Sequence, residues 1–138
     1  MIAPELERTF ARAASDARER RHELLTLEHL LLALLDDAQG RALLDAVGAD
    51  LDRLRGELDD HLAEQPPVPE GREFEVAQTV AVTRVLQRAA VHVQSAAKGE
   101  LDAGDVLAAM FREPESFAVY LLRNHGVTRL DLLEVISH

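Results

Sequence analysis

Apolar residues recur at intervals of three and four along most of the chain, which is the spacing of the buried face of an α-helix. Residues that start and stop helices interrupt this spacing, and the pattern predicts eight helices in two sets of four. The first set is predicted to open at Pro4, to continue after the cap Thr26 and over 39–47, and to end with a helix capped by Asp50. The helix after Thr26 is apolar on most sides, so we expect it to be the most deeply buried.

The second set follows the same rules. Its four helices are predicted to begin near Thr79 or Val80, after the cap Asp102, at Pro114, and after the cap Thr128. The first of them is expected to run to Ala97. Its apolar stripe is formed by Val82, Val85, Leu86, Ala89, Ala90 and Val93.

Between the sets lies a segment rich in proline and glycine. Pro66, Pro67, Pro69 and Gly71 forbid a continuous helix here. We therefore interpret 65–78 as an ordered or semi-ordered linker between units spanning about 4–64 and 79–138.

The two units look like an internal repeat. Phe10 and Ala13 match Leu86 and Ala89 at an offset of 76 residues, and the same offset brings the cap Thr26 onto Asp102. Gly48 and Gly126 match after a two-residue insertion. A repeated four-helix unit predicts one all-α domain over 1–138, a pseudo-twofold bundle with a shared core.

Composition narrows the possible functions. The formal net charge is −10, which disfavours nucleic acid as a partner, and no apolar run is long enough to span a bilayer. The chain has no cysteine, so disulfides and thiolate metal sites are excluded, and we expect a cytoplasmic protein.

Motifs for chemistry are missing from the sequence. The single lysine, Lys98, does not belong to a phosphate-binding loop, and none of the serines lies in a nucleophile elbow. We expect no catalytic residues and no cofactor.

The six histidines give no metal-binding pattern, since no two of them are three or four residues apart. We expect His29 to be a structural residue that faces the core or a hydrogen-bonded turn. His22 beside a carboxylate could hold an adventitious zinc ion. A cluster of acidic residues is interpreted as a solvated helix face; it consists of Glu57, Asp59, Asp60 and Glu64.

The segment 20–29 concentrates charge in a turn between two helices. Glu23 and Glu28 flank short apolar side chains, and an exposed pair of this kind could grip a basic residue of a partner. Glu28 could instead stabilise the start of its helix, and Glu23 could simply face solvent.

Three blocks of sequence resemble a known family. Arg21–Glu23 followed by Glu28–Leu35, the stretch Arg84–Ala89 with His92–Ser95, and the C-terminal part from Tyr120 to His138 are similar to the N-terminal repeat domain of Clp ATPases. The third block is closer to the ClpA type than to ClpB or ClpC. The resemblance covers nearly the whole chain, from about Glu5 to His138.

The resemblance implies a non-catalytic docking domain of an AAA+ unfoldase. Its implied partner is the adaptor ClpS, which delivers substrates with N-terminal degradation signals, as in the N-end rule, to the ATPase modules and the ClpP protease. The positions that match the family's adaptor contacts are Glu23, Glu28, Thr79 and Arg84, with Val85 and Arg88 nearby.

Two other functions remain open from the sequence. An apolar groove between the repeats could bind unfolded or damaged substrate chains directly. A metal-dependent hydrolase using His22 and neighbouring carboxylates is a further alternative, which we rank last.

Overall fold

The computed structural model describes residues 1–137, most of which lie in eight α-helices. His138, the last residue of the C-terminal block that resembles the family, lies outside the described residues. The helices are α1 (Pro4–Glu19), α2 (Leu27–Leu34), α3 (Ala38–Ala46), α4 (Leu51–Ala63), α5 (Val80–Ser95), α6 (Ala103–Met110), α7 (Phe117–Asn124) and α8 (Arg129–Ile136). Two short strands, β1 (Leu24–Leu25) and β2 (Ala77–Gln78), form a parallel pair. The predicted all-α class is confirmed.

Capping residues fix the starts of the two equivalent central helices. Thr26 accepts a hydrogen bond from the backbone N–H of His29, and the His29 ring accepts one from the backbone of Thr26 at 3.0 Å. Asp102 and Asp105 exchange the same pair of bonds at the start of α6. Both predicted caps are confirmed, and they satisfy backbone N–H groups that a helix start leaves unpaired.

The prediction that Pro114 starts a helix is wrong. The seventh helix begins at Phe117, because Ser116 is its N-cap and accepts a hydrogen bond from the backbone of Ala118. The fifth helix ends at Ser95, before the expected Ala97, whose φ of 55° is incompatible with a continuing helix. Ala90, expected on the buried stripe of this helix, is exposed.

The second helix forms the centre of the core. Every side chain from Leu30 to Leu35 is buried, as its nearly continuous apolar sequence predicts. It packs against α1 on one side, against α4 and α7 on another, and also contacts α3 and α6. Because this helix touches elements of both halves, the domain has one hydrophobic core.

Parallel backbone bridges join the halves twice. Thr79 donates its backbone N–H to the carbonyl of Leu25 at 3.1 Å, and Ala3 donates to Leu101 at 2.8 Å. Both donors and both acceptors lie 76 residues apart, the offset at which the two sequence units match. In each bridge, the residue before a long helix of one half donates to a residue just before the buried helix of the other half, which is a pseudo-twofold exchange.

The proline-rich segment is held against the first half. Val68 is buried and donates its backbone N–H to the carbonyl of Arg21 at 2.7 Å. The Arg21 guanidinium in turn donates to the carbonyls of Val68, Pro69 and Arg72. This segment then enters β2, so the predicted linker ends in a strand.

Candidate functional site

The β1–β2 pair brings together two segments that are more than fifty positions apart in sequence. The backbone carbonyl of Glu23, directly before β1, accepts a hydrogen bond from the N–H of Ala77, the first residue of β2, at 2.9 Å. On the other side, Thr79 is the N-cap of α5 and accepts from the backbone of Val82 at 3.2 Å. The charged turn and the start of α5 therefore form one continuous surface, and we call it the β1–β2 surface.

Two large apolar side chains are exposed on the β1–β2 surface. Leu24 is 47% exposed and Val80 is 69% exposed, and each lies next to a predicted site residue, Glu23 or Thr79. The Glu23 side chain is also exposed. Apolar side chains of this kind can bind a partner by leaving water, and the adjacent carboxylate can favour a partner that has a basic residue.

Arg84 and Arg88 extend this surface along α5. Both guanidinium groups donate to the carboxylate of Glu113, and Arg84 does so through two atoms, at 3.1 and 2.6 Å. The hydrogen bond from Arg84, supported by Arg88, lowers the pKa of Glu113 to about 2. Glu113 thereby fixes both arginines, and sequence reasoning missed it because it lies in the loop before α7.

Val85 does not belong to the exposed surface. Its side chain is fully buried in the core between α5 and its neighbours. The expectation that Val85 contributes a contact is therefore corrected: on a helix, the residue after an exposed Arg84 turns toward the interior.

Glu28 is also occupied within the fold. Its carboxylate accepts hydrogen bonds from the backbone N–H of Ala118 at 3.0 Å and from the Ser116 hydroxyl at 3.2 Å. Only 12% of its side chain is exposed. The expected exposed pair of carboxylates is reduced to Glu23, because Glu28 stabilises the start of α7 from across the fold.

The two histidines of this segment form a buried pair. The His22 Nδ1 and His29 Nε2 atoms are 2.9 Å apart, and His22 also bonds to the backbone of Gln65. Since His29 Nδ1 accepts from the backbone of Thr26, its Nε2 carries the proton donated to His22. Burial lowers the pKa of both histidines, that of His29 to about 4.

The hydrogen bond to His29 gives His22 a structural role. The His22 ring nitrogen that accepts this bond is therefore occupied within the fold, where the sequence had suggested an adventitious zinc ion. The His22 side chain is 3% exposed and its Nδ1 accepts from His29. Within residues 1–137, no three histidine, cysteine, aspartate or glutamate side chains are grouped as metal ligands would be.

Two of the four acidic residues predicted to form a solvated face on α4 contact other parts of the fold. Glu57 lies 2.6 Å from the His125 ring, and Asp59 accepts from Arg20 at 2.7 Å. The interpretation of this face as a simply solvated surface is therefore corrected for these two residues, which link α4 to α7 and to α1.

An apolar groove runs between α1 and α5 and adjoins the β1–β2 surface, since Leu25 of β1 and Gln78 of β2 help to line it. Phe10 and Ala14 form one wall, Val82 and Leu86 form the other, and Leu25 closes one part of a cavity of about 310 Å³. Phe10 and Leu86 lie 76 residues apart, so the groove straddles the pseudo-twofold relation. It coincides with the groove between the repeats that the sequence left as an alternative binding site.

No helix among the described residues is long and apolar enough to cross a bilayer.

Comparison with known proteins supports the family suggested by the sequence. The sequence model of one protein family, the Clp repeat (R) N-terminal domain, matches residues 1–125 of this chain. A ClpA homolog protein of Fuscovulum blasticum is 42% identical over 137 residues, an alignment that covers 96% of this chain and 17% of that protein. The chain thus spans about a sixth of the length of this curated relative.

Solved structures share the fold at lower identity. The N-domain of ClpV from Vibrio cholerae superposes with a TM-score of 0.80 at 22% identity, covering 99% of this chain and 82% of that one. The Hsp104 N-terminal domain from Candida albicans gives a TM-score of 0.78 at 14% identity, with coverages of 95% and 85%. A ClpV N-domain in complex with a VipB peptide gives 0.75 at 23% identity, with coverages of 95% and 81%.

The repeated helical unit, its two capped central helices and the match over 1–125 agree on one assignment, and the chain belongs to the Clp repeat N-terminal domain family.

Proposed function

We propose that this domain is a non-catalytic docking module that binds an adaptor of the ClpS type through the β1–β2 surface. The observation that carries the proposal is the backbone pairing of Leu24–Leu25 with Ala77–Gln78, which brings the turn that contains Glu23 next to the start of α5. It unites the segments that the family resemblance implicates in adaptor contact. Arg84 and Arg88, fixed by Glu113, form the edge of the same surface.

The proposed role belongs to a larger machine. The ClpA homolog with 42% identity is about six times longer than this chain, and the proposal places AAA+ modules in the remainder of a comparable protein. In that context, ClpS would deliver N-end rule substrates for unfolding and degradation with ClpP in the cytoplasm. The ClpV N-domain structure, which contains a VipB peptide, supports a role of this fold in binding protein segments.

The energetics favour a few anchors over many charge contacts. An exposed ion pair contributes about 0.2–1 kcal/mol, so Glu23 contributes more only where the partner excludes water from it. Leu24 and Val80 supply the apolar area that makes such exclusion favourable. Glu23 and the two apolar residues are therefore expected to act together.

The test is a calorimetric titration of this chain with purified ClpS, repeated with Glu23→Lys. We expect saturable one-to-one binding by the wild type and a loss of about tenfold in affinity for the variant. Asp45→Lys is the matched control, since Asp45 is exposed on α3 and the same change in charge falls outside the surface. Glu57 is unsuitable as a control because its carboxylate contacts His125.

Each result decides a different point. Equal affinities of wild type and Glu23→Lys would remove Glu23 from the site. Failure of the folded wild-type chain to bind ClpS would overturn adaptor docking as the function.

The groove between α1 and α5 supports a second candidate function, direct binding of unfolded or damaged chains. Its walls are apolar, and it is open to solvent beside Ala11, which is exposed. Salt-insensitive binding of an unfolded peptide without ClpS, weakened by filling the groove with Ala11→Trp, would support this function. Unchanged peptide binding by a folded Ala11→Trp variant would contradict it.

A further inference from the structure

A basic cleft lies on the far side of α5 from the apolar groove. It has a volume of about 510 Å³ and is bordered by α5, α6 and α8 together with the loop after α6. Four arginines line it: Arg84, Arg88, Arg112 and Arg129. The chain as a whole carries a formal net charge of −10, so this cluster of four arginines is opposite in sign to the overall charge.

Internal carboxylates offset only part of this charge. Glu113 accepts from both Arg84 and Arg88, which leaves one positive charge for the three groups. Asp105, the acidic residue in the lining, is paired with Lys98 at 2.9 Å. Arg112 and Arg129 form no ion pair with any residue in 1–137, and both are exposed. Because Lys98 is shared between Asp105 and Asp102, the four arginines, Lys98 and these three carboxylates leave a net of about two positive charges around the cleft.

The floor of the cleft is apolar. Ala89, Ala108 and Ala109 form it with Leu133, and Val91, which is 61% exposed, stands at its rim. The small side chains of the alanines leave room between the arginines. An occupant that fits must bring carboxylates to the arginine rim and an aliphatic side chain to the floor.

These features favour an acidic peptide over a nucleic acid. A nucleic acid carries one charge per phosphate along its length, and it would meet the negative field of the remaining surface as it leaves the cleft. A short peptide segment that alternates carboxylate and aliphatic side chains presents its charge only where the arginines are. It also has aliphatic groups for the alanine floor.

We propose that the α5–α6–α8 cleft is a second docking site, which binds an extended acidic peptide segment containing aliphatic residues. Arg112 and Arg129 receive its carboxylates, while Arg84 and Arg88 are held in place by Glu113. The cleft shares Arg84 and Arg88 with the edge of the β1–β2 surface, whereas Arg112 and Arg129 belong to the cleft alone. Substitutions of Arg112 and Arg129 therefore test the cleft without changing the proposed ClpS contacts.

The probe is a fluorescein-labelled peptide, Gly-Glu-Leu-Glu-Asp-Leu-Glu-Gly, and its binding to the chain is measured by fluorescence anisotropy. A second labelled peptide with lysine at each acidic position tests charge. We expect saturable binding of the acidic peptide that weakens as salt is raised, and no saturable binding of the lysine peptide. The double variant Arg112→Glu/Arg129→Glu should reduce the affinity about tenfold.

Matched controls separate the cleft from net charge and from the adaptor surface. Arg8→Glu/Arg41→Glu changes the charge equally at exposed positions on α1 and α3, and should bind within about twofold of the wild type. Glu23→Lys should leave peptide binding unchanged. If the double charge reversal unfolds the domain, as judged by circular dichroism, Arg112→Gln/Arg129→Gln replaces it.

Three results would overturn the proposal. They are equal binding of the acidic and lysine peptides, equal loss of affinity in the Arg8→Glu/Arg41→Glu control, and tighter binding of an oligothymidylate than of the acidic peptide. The last would identify the cleft as a site for single-stranded nucleic acid.

Discussion

Ala77 donates its backbone N–H to the carbonyl oxygen of Glu23 at 2.9 Å, and through this bond the start of α5 lies beside the turn after α1. A backbone bond depends little on the side chains that carry it. The exposed side chains of Glu23, Leu24 and Val80 can therefore change without loss of this backbone pairing, whereas Thr79 also caps α5.

The exposed apolar residues should anchor the adaptor. Leu24→Ser and Val80→Ser are each expected to weaken ClpS binding by about fivefold to tenfold, because each removes apolar area that docking would bury. Both side chains are largely exposed, so the free energy of unfolding should change by less than about 0.5 kcal/mol. Titration calorimetry and urea unfolding measure the two effects.

Leu130→Ser is the control for this pair, since Leu130 is 64% exposed at the start of α8. It should bind ClpS as the wild type does. A loss of affinity equal to that of Val80→Ser would mean that general surface hydrophobicity, and not the β1–β2 surface, drives the interaction.

Val85 should act on stability and not on binding. Val85→Ala leaves a cavity in the core and is expected to lower the free energy of unfolding by about 1–2 kcal/mol. The exposed Val91 on the same helix gives the control, since Val91→Ala should change the free energy of unfolding by less than about 0.5 kcal/mol. Weaker ClpS binding by a fully folded Val85→Ala domain would show that this residue takes part in the interface after all.

Glu28 should stabilise the second half of the fold. Glu28→Ala removes the acceptor of the Ala118 backbone and the Ser116 hydroxyl, and should cost about 1–2 kcal/mol of unfolding free energy. The exposed Glu7 on α1 provides the comparison, with Glu7→Ala expected to cost less. Urea midpoints that coincide for wild type and Glu28→Ala would contradict this role.

The buried histidine pair should make the domain sensitive to acid. Burial, with the neighbouring His22, lowers the pKa of His29 to about 4, below the value of about 6.5 in an unfolded chain. The unfolded state therefore binds a proton more readily, so the stabilisation is complete above pH 6.5 and is lost as pH falls toward 4. We expect a decrease on the order of 3 kcal/mol over this range, measured by urea unfolding.

The variant His29→Asn should flatten this pH dependence, whatever its stability at neutral pH. His92→Asn, at an exposed position on α5, should retain the wild-type slope. If wild type and His29→Asn lose stability in parallel between pH 6.5 and 4, the pair is not the source of the acid sensitivity.

Local sequence was sufficient for most helix boundaries and for the family. Thr26, Asp50, Asp102 and Thr128 each cap the helix that they were predicted to cap, because capping depends on residues within one turn. Pro114 misled because a proline is compatible with a first turn without requiring one. The Ser116 hydroxyl and the distant Glu28 carboxylate together define the actual start.

The candidate site depended on information of longer range. Sequence periodicity could place Glu23 in a turn and Thr79 at a helix start, but not beside each other. The pairing of β1 with β2 is a contact across the linker, and it involves backbone groups that carry no residue-specific signal. The role of Glu113 could not be predicted either, because its two arginine partners lie more than twenty residues away in the sequence.

The sequence by itself determined the all-α class, the buried central helix and the membership of the family, because these follow from periodicity, caps and motifs that are local in the chain. Only the tertiary structure decided which charged residues remain available. In the fold, Glu28 caps α7, Val85 is buried and Glu113 pairs with two arginines. Glu23, Leu24 and Val80 are exposed. The physical reason is that the burial and pairing of a side chain depend on elements that fold against it from far along the chain, and no local pattern records those neighbours.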